Sequence, residues 1–171
     1  WNLISTYLDP QNKNIANVMA PVADDLYLVK DFAGNVYWPE FGLNNIGDIE
    51  IGSAYKANVT AATVLELEGE VVNPEEEVIS LPFGWSYIGY LRQVPANVSS
   101  AMASVSGDIF IMKDGSGNVY WPDFGINNIG NMEPGKGYLI SMDTPVDFSF
   151  PANHIVLPSA KVEANANLMH Y

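Results

Sequence analysis

The sequence contains no cysteine and only one arginine, Arg92, and its 7 basic residues stand against 20 acidic ones. The absence of cysteine excludes disulfide bonds, thiolate chemistry and Cys-type zinc sites. A formal net charge of −13 offers no basic face to phosphate groups, which argues against nucleic acids and anionic lipid headgroups as partners. No apolar run approaches the roughly 18 residues of a membrane-spanning helix, so we predict no membrane insertion.

Charged residues are also scarce, at 16% of the 171 residues, whereas 48% are hydrophobic and 12% are aromatic. A chain of this length and composition buries a core sufficient for one large domain or two small ones. The cysteine-free, acidic composition, rich in asparagine and aromatics, favours a bacterial extracellular protein, and a first residue that is Trp rather than Met indicates part of a longer chain. We therefore expect an extracellular or cell-surface location and adjoining domains in a parent protein.

An internal duplication dominates the sequence. Residues 34–47 recur as residues 117–130 with 12 of 14 positions identical, and the other two positions are Glu/Asp and Leu/Ile exchanges. The copies are offset by 83 residues from Asn14 onward and by 84 residues before it. Self-similarity at a fixed offset indicates two copies of one structural unit. All four tryptophans fall into two matched pairs, Trp1/Trp85 and Trp38/Trp121.

The duplication divides the chain into four segments. We assign residues 1–70 to the first β repeat, 71–84 to an acidic joint with the leading strand of the second repeat, 85–151 to the second β repeat, and 152–171 to a linker-like tail. Six of the 20 acids lie between residues 66 and 77, which is typical of a solvated hinge. The tail is rich in Ala, Asn and Pro, although its residues 154–158 echo residues 78–82 and predict one further strand.

The local pattern within each repeat is mainly that of β-strands. Residues 26–30 and 36–39 flank a turn-forming segment and predict a β-hairpin. Residues 14–22 carry apolar side chains at the spacing of one short amphipathic helix. Because the pattern occurs twice, the predicted fold is mainly β, with two tandem repeats that are each a small β-barrel or sandwich of about five strands with one short helix.

Three motifs occur in order in the second repeat: Gly84-Trp85 at its start, the aromatic segment 119–130, and Gly135-Lys-Gly-Tyr138 at its end. In this order they resemble a tandem bacterial β module that begins with Gly-Trp-Asn, ends with Gly-x-Gly-Tyr and occurs in large secreted or cell-surface multidomain proteins. The resemblance implies a non-catalytic module that serves adhesion or glycan contact. The first repeat departs from the pattern, because no glycine precedes Trp1 and Ala54 replaces the second glycine. We therefore expect the sequence to begin inside the first module.

We predict no catalytic residue. Nucleophilic catalysis usually needs a histidine beside a serine or cysteine, and both histidines, His154 and His170, lie in the tail outside the repeats. Duplicated acids such as Asp25 and Asp108 lie beside turn residues, where aspartate usually binds backbone N–H groups. The enzymatic alternative is a fragment of a carbohydrate-active hydrolase, which needs only two suitably spaced carboxylates.

We predict no cofactor and no metal site. Residues 114–118 carry side-chain oxygens at positions 1, 3 and 5, like the beginning of an EF-hand loop, but Val119 stands where that loop requires glycine. The corresponding residues 31–35 lack the oxygen at position 3, so a hairpin turn explains both copies. Ca²⁺ on the acidic residues 75–77 is the alternative to a solvated face.

The aromatic segments are the best candidates for a binding site. Aromatic rings stack on the C–H faces of sugars, and amides and carboxylates form hydrogen bonds with their hydroxyl groups. Because Val36 and Trp38 share one face of a strand, we predict that the tryptophans pack in the core and that the neighbouring tyrosines are exposed. The Asn-Asn-Ile-Gly segments are also typical of turns. The candidate ligand-binding residues are Tyr37, Glu40, Asn44, Tyr120, Asp123 and Asn127.

These observations predict a non-catalytic module of an exported bacterial surface protein, which serves spacing or adhesion and binds carbohydrate weakly. Its expected partners are glycans or other surface proteins. The alternatives are a purely structural linker between domains of the parent chain and the hydrolase fragment. Exposed aromatic rings on each repeat would favour glycan binding, whereas burial of all four tryptophans would favour the linker.

Overall fold

The structure is a computed structural model that describes residues 1–153 and 161–168. It is mainly β, with 42% strand and 17% helix, and it contains two five-stranded sheets, as the sequence predicts. Within these residues neither sheet closes into a barrel, and no helix is long and apolar enough to cross a membrane. The strand predicted at residues 154–158 lies outside the described residues.

The strands of the first repeat are β1 (Asn2–Ile4), β2 (Leu8–Asp9), β3 (Leu26–Lys30), β4 (Val36–Trp38), β5 (Leu43–Asn44), β6 (Tyr55–Val59) and β7 (Thr63–Val71). Five of them form a sheet with the order β1-β6-β3-β4-β5, in which all neighbours are antiparallel. The helices of this repeat are α1 (Ile15–Val18) and two 3-10 helices, Ala20–Asp25 and Pro39–Phe41.

The strands of the second repeat are β8 (Ile79–Leu81), β9 (Gly84–Gly89), β10 (Ala96–Asn97), β11 (Ile109–Lys113), β12 (Val119–Trp121), β13 (Ile126–Asn127), β14 (Asn131–Met132), β15 (Gly137–Met142) and β16 (Val146–Phe148). They form the same five-stranded sheet, with the order β9-β15-β11-β12-β13, and two short pairs, β10 with β14 and β8 with β16. The helices of this repeat are α2 (Val98–Ala101) and two 3-10 helices, Ala103–Asp108 and Pro122–Phe124.

Each predicted amphipathic helix is present as a short α-helix that continues into a 3-10 helix. The side-chain oxygen of Asn14 accepts a hydrogen bond from the Ala16 N–H at 3.1 Å and so caps α1. Asn97 caps α2 in the same way, through the Ser99 N–H at 3.0 Å. Capping of this kind supplies an acceptor for an N–H group that has no partner within the helix.

Each repeat has its own hydrophobic core. The first core contains Met19 and Val29, which are both fully buried. The second core is larger, because the joint between the repeats contributes Ile79 and Leu81 to it, and the segment after β15 contributes Phe148 and Phe150. Because each repeat fills its own core, the same pattern of apolar residues occurs twice in the sequence.

The acidic residues directly before the joint lie on a strand. The exposed residues Glu66, Glu68 and Glu70 alternate along β7 with inward residues such as Leu65, which is 2% exposed. These acids therefore reach solvent from one face of a paired strand. The joint itself, residues 71–84, contains β8, which pairs with β16.

The tail predicted to be linker-like contains a strand, β17 (Lys161–Leu168). It pairs with β7 over eight residues in antiparallel register, and β7 pairs with β2 on its other side. Leu168 is fully buried and belongs to the first core. The Ala, Asn and Pro content of the tail does not indicate a strand. Backbone hydrogen bonds between strands form all the same, because they require no particular side chain.

The two repeats pack against each other through reciprocal contacts. The Gly89 N–H donates to the Gly52 carbonyl at 2.8 Å, and in the opposite direction the Ser5 N–H donates to the Gly135 carbonyl at 3.0 Å. Gly89 corresponds to Ser5 at the offset of 84, and Gly135 corresponds to Gly52 at the offset of 83. The two hydrogen bonds therefore join the same pair of corresponding positions, once from the second repeat to the first and once from the first to the second. This reciprocity is expected for copies related by a two-fold axis.

Small residues allow this close approach. A Cβ atom on Gly137 would overlap with the Cβ atom of Ala54 and would lie 3.1 Å from the Ile4 carbonyl oxygen. Ala54 and Gly137 correspond to each other at the offset of 83, so each faces its own counterpart across the interface. Ala54 replaces a glycine of the Gly-x-Gly-Tyr motif in the first repeat. Gly137, the corresponding glycine of the second repeat, leaves room for its methyl group.

Candidate functional site

Each repeat carries a cluster of three aromatic rings on its surface. Aromatic cluster 1 consists of Tyr27, Trp38 and Phe41, with centroid distances of 5.3 Å for Tyr27–Trp38 and 4.6 Å for Trp38–Phe41. The rings meet edge to face, with interplanar angles of 69° and 77°. Such aromatic pairs contribute about 0.5–1.5 kcal/mol beyond the area that they bury.

Aromatic cluster 2 repeats this arrangement with Phe110, Trp121 and Phe124. Its centroid distances are 5.8 Å for Phe110–Trp121 and 4.5 Å for Trp121–Phe124, again edge to face. Every member corresponds to a member of aromatic cluster 1 at the offset of 83. The two clusters are therefore one surface feature present twice.

The phenylalanines that end the 3-10 helices are the most exposed members of the clusters. Phe41 is 67% exposed and Phe124 is 68% exposed. Both end a one-turn 3-10 helix that begins with proline and stops at a glycine in the left-handed conformation, Gly42 with φ 61° and Gly125 with φ 63°. Only glycine adopts that conformation without steric cost, so the sequence Pro-x-Phe-Gly itself holds each ring at the surface.

The tryptophans contribute a second unusual feature to the clusters. The indole Nε1–H groups of Trp38 and Trp121 are covered by protein but have no hydrogen-bond acceptor among the described residues. A covered donor without an acceptor costs free energy, commonly about 1–3 kcal/mol. The arrangement is the same in both copies.

The predicted exposure of the tyrosines is wrong for Tyr120 and only partly met for Tyr37. Tyr120 is 6% exposed and belongs to the second core, and Tyr37 is half-buried against the first core. The strand register is the cause, because Tyr37 pairs with the fully buried Val29 and therefore shares its inward face. The predicted burial of the tryptophans fails for the same reason, since Trp38 lies on the opposite, outer face.

The four other candidate residues divide into two kinds. Glu40 and Asp123 are exposed in the first turn of the 3-10 helices, directly before Phe41 and Phe124 in the chain. Asn44 and Asn127 are exposed as residues, but their amide groups are engaged in internal hydrogen bonds. The structure therefore leaves the acids available beside the aromatic clusters and uses the asparagines to hold turns.

The asparagine network has the same form in both repeats. The Asn44 side-chain oxygen accepts from the Gly47 N–H at 2.9 Å, and its Nδ2 donates to the oxygen of the helix cap Asn14 at 3.1 Å. In the second repeat, Asn127 makes the same two bonds, to Gly130 at 2.9 Å and to Asn97 at 3.0 Å. Each network joins the turn after the aromatic cluster to the start of the α-helix.

Replacing Asn127 by alanine is expected to lower the free energy of unfolding by about 1–2 kcal/mol, because the change removes both of these hydrogen bonds. Urea denaturation followed by circular dichroism measures the effect. N44A should behave alike, and N128A, which alters a neighbouring exposed amide, serves as the control. Unchanged stability in N127A would contradict the structural role of this side chain.

A half-exposed tryptophan lies beside a lysine in each repeat. Trp1 and Trp85 are 43% and 40% exposed. The ammonium groups of Lys30 and Lys113 each lie 5.4 Å from the centroid of the corresponding indole ring. Cation–π contacts of this kind contribute about 0.5–1 kcal/mol at exposed sites. The sequence signal for these pairs was their duplication, which by itself does not distinguish exposed from buried rings.

The duplicated acids at the hairpin turns are used by the turns themselves. One oxygen of Asp31 accepts from the Asn35 N–H at 2.8 Å and the other accepts from the Asn35 side chain at 2.7 Å. Asp114 binds Asn118 in the same way. Throughout the described part of the chain, no group of three or more His, Cys, Asp or Glu residues is arranged to hold a metal ion.

No protein-family model, no curated protein and no solved structure gives a significant match to this chain. The candidate site is therefore identified by comparing the two repeats of the chain with each other. Of the residues in the aromatic clusters, the tryptophans are predicted to lie in the core, and the predicted site residues do not include Tyr27, Phe41, Phe110 or Phe124. The Pro-x-Phe-Gly sequence, which places a phenylalanine directly before a left-handed glycine, was the signal that would have found two of them.

Proposed function

We propose that this chain is a non-catalytic adhesion module of an exported bacterial surface protein, and that its two aromatic clusters contact carbohydrate. The observation that carries the proposal is the presence of the same exposed aromatic cluster at corresponding positions of both repeats. Phe41 and Phe124 lie outside both cores and are largely exposed, so their rings are accessible to a ligand.

The chemistry of each cluster suits a sugar ring. An exposed phenylalanine offers an apolar face to the C–H groups of a pyranose, and the neighbouring acid, Glu40 or Asp123, accepts hydrogen bonds from its hydroxyl groups. A single shallow site of this kind binds weakly. Two sites on one rigid chain raise the effective concentration at the second site, which strengthens binding to a repeating polymer.

The export and the adjoining domains belong to the same proposal. They are supported by the cysteine-free, acidic composition and by the resemblance of the repeats to a module of secreted multidomain proteins. A second role as a spacer is favoured by the reciprocal packing of the two repeats, which gives the module a fixed length. Spacing and glycan contact are compatible, because they use different surfaces.

The double variant F41A/F124A is expected to abolish binding on a glycan array, and each single variant should lower the affinity about tenfold, because one stacking surface is lost. F83A is the matched control, since Phe83 is 73% exposed but lies outside both clusters. A double variant that binds as the unmodified chain does would refute the aromatic clusters as the site. Absence of binding by the unmodified chain to every glycan would refute the carbohydrate ligand and leave the spacer.

A further inference from the structure

The two five-stranded sheets carry positive charge only. The charged residues in their ten strands are Lys30, Lys56 and Lys113, here called the sheet lysines. All ten strands belong to the described part of the chain, and none of the 20 acidic residues lies in them. Charges act on a ligand within roughly 8–10 Å at physiological salt concentrations. At short range the sheets therefore favour an anionic ligand, although the chain as a whole has a net charge of −13.

Each repeat places one sheet lysine beside two tryptophans. Lys30 pairs with Val36, so Trp38, two residues further along β4, is its diagonal neighbour on the outer face of the sheet. Diagonal neighbours of this kind are about 7–8 Å apart. The Lys30 Nζ also lies 5.4 Å from the centroid of the Trp1 ring. The corresponding residues of the second repeat are Lys113, Val119, Trp121 and Trp85.

The sheet lysines have no carboxylate partner among the described residues, whereas other lysines of the chain have one. Lys13 and Lys136 form ion pairs with nearby acids at 2.9 Å and 2.8 Å. Acidic residues outnumber basic ones by 20 to 7, so carboxylates are plentiful in this chain. Their absence from the sheets leaves the ammonium groups beside the aromatic clusters open to a carboxylate from a ligand.

Two of the sheet lysines are direct neighbours across strands β3 and β6. Lys56 stands opposite Lys30, and like charges directly opposite each other destabilise a strand pair. The position that corresponds to Lys56 in the second repeat is Leu139, which stands opposite Lys113. A bound anion would relieve the repulsion in the first repeat. The first repeat therefore offers two ammonium groups to such a ligand where the second repeat offers one.

We propose that the ligand of the aromatic clusters is an acidic glycan, in which a uronic acid stacks on the exposed rings and its carboxylate binds the sheet lysines. A uronic acid carries an apolar C–H face and a carboxylate on the same ring, which matches aromatic rings beside an ammonium group. Hydrogen bonds between ammonium and carboxylate groups are charge-assisted and stronger than neutral ones. Glu40 and Asp123, the proposed acceptors of hydroxyl protons, lie in the 3-10 helices and not in the sheets. This inference rests on the proposed function, whose ligand class it specifies.

Oligosaccharides of galacturonic acid and of glucuronic acid, each compared with its methyl ester, test the role of charge. The ester keeps the sugar ring and removes the negative charge. Isothermal titration calorimetry with the full chain measures the affinities, and EDTA in the buffer prevents bridging by Ca²⁺. The acids are expected to bind about tenfold more tightly than their esters. K30Q/K113Q should lose most of this preference, whereas K13Q/K136Q, which removes two charges at ion-paired lysines, should keep it.

The difference between the repeats provides a test that gains affinity and so does not depend on loss of folding. L139K gives the second repeat the lysine that the first repeat has at this position. In the F41A background, where only the second aromatic cluster is intact, L139K should raise the affinity for the acids several-fold and leave that for the esters unchanged. In the F124A background, K56L should lower the affinity for the acids by a similar factor.

The outcomes separate this inference from the proposed function. Equal affinity for acids and esters, or an affinity for the acids that neither L139K nor K56L changes, would overturn the inference. Binding of neutral glycans alone would also overturn it and would leave the aromatic clusters as a carbohydrate site. Absence of binding to every glycan would overturn the proposed function and this inference together.

Discussion

Replacing Gly137 by alanine is expected to lower the free energy of unfolding by about 2–3 kcal/mol, among the largest effects that one methyl group can have in this chain. The added Cβ atom would overlap with Ala54 and press on the Ile4 carbonyl oxygen, which is backbone and cannot rotate away. Gly137 does not require a left-handed conformation, so the cost arises from contact between the repeats rather than from backbone strain. Urea denaturation with circular dichroism measures it.

The double variant A54G/G137A tests whether the loss of stability in G137A comes from contact with Ala54 or from any substitution at this position of strand β15. It exchanges the two residues between the repeats, so that one methyl group again faces one glycine. We expect it to recover about 1–2 kcal/mol of the loss, which a double-mutant cycle measures as coupling between contacting residues. G107A is the matched control, because a Cβ atom there meets nothing within 4 Å. Additive effects of A54G and G137A would contradict direct contact between these residues.

Raising the pH above 10 is expected to unfold the protein through its buried tyrosines. Burial raises the pKa of Tyr55, Tyr90, Tyr120 and Tyr138 above the usual value of 10, with the largest shift at Tyr138. The folded state therefore keeps these protons at a pH where the unfolded state loses them. The contribution of these tyrosines to stability is constant below about pH 9 and falls as the pH rises through 10, by up to about 1.4 kcal/mol per pH unit for each fully buried ring.

Denaturation midpoints at pH 7, 9, 10 and 11, together with tyrosinate absorbance near 295 nm, follow this loss. Y138F should be less stable than the unmodified chain at pH 7 by about 1–3 kcal/mol, because the hydroxyl that accepts the Glu133 N–H at 2.9 Å is removed. It should also lose less stability between pH 9 and 11. Y55F is the counterpart in the first repeat, where the Tyr55 hydroxyl accepts the Glu50 N–H at 2.8 Å. Complete tyrosinate formation in a chain that is still folded would contradict the mechanism.

The sequence predicts the elements well because their signals are local and occur twice. The hairpins, the amphipathic helices and the strand at Ile79–Leu81 follow from alternation, spacing and turn residues within short segments. Duplication strengthens each of these signals, since an accidental pattern would not recur at the offset of 83. The fold class and the two five-stranded sheets follow from the same information.

The candidate site was predicted less well, because it depends on which face of a strand meets the core. Alternation shows that Trp38 and Tyr37 point in opposite directions, but it does not say which direction is inward. That choice is made by pairing of Tyr37 with Val29, a contact between strands. The interface between the repeats and the position of β17 are likewise non-local, so no pattern within a segment indicates them.

The contact between Ala54 and Gly137 has an evolutionary consequence. In a homodimer, a residue on the symmetry axis meets its own copy, so any change in size occurs on both sides at once, and a crowded position stays glycine. A gene that encodes both halves in tandem removes this restriction, because one half can gain a methyl group while the other remains glycine. Fusion therefore lets the two halves diverge at the axis itself, where subunits of a symmetric assembly are most constrained.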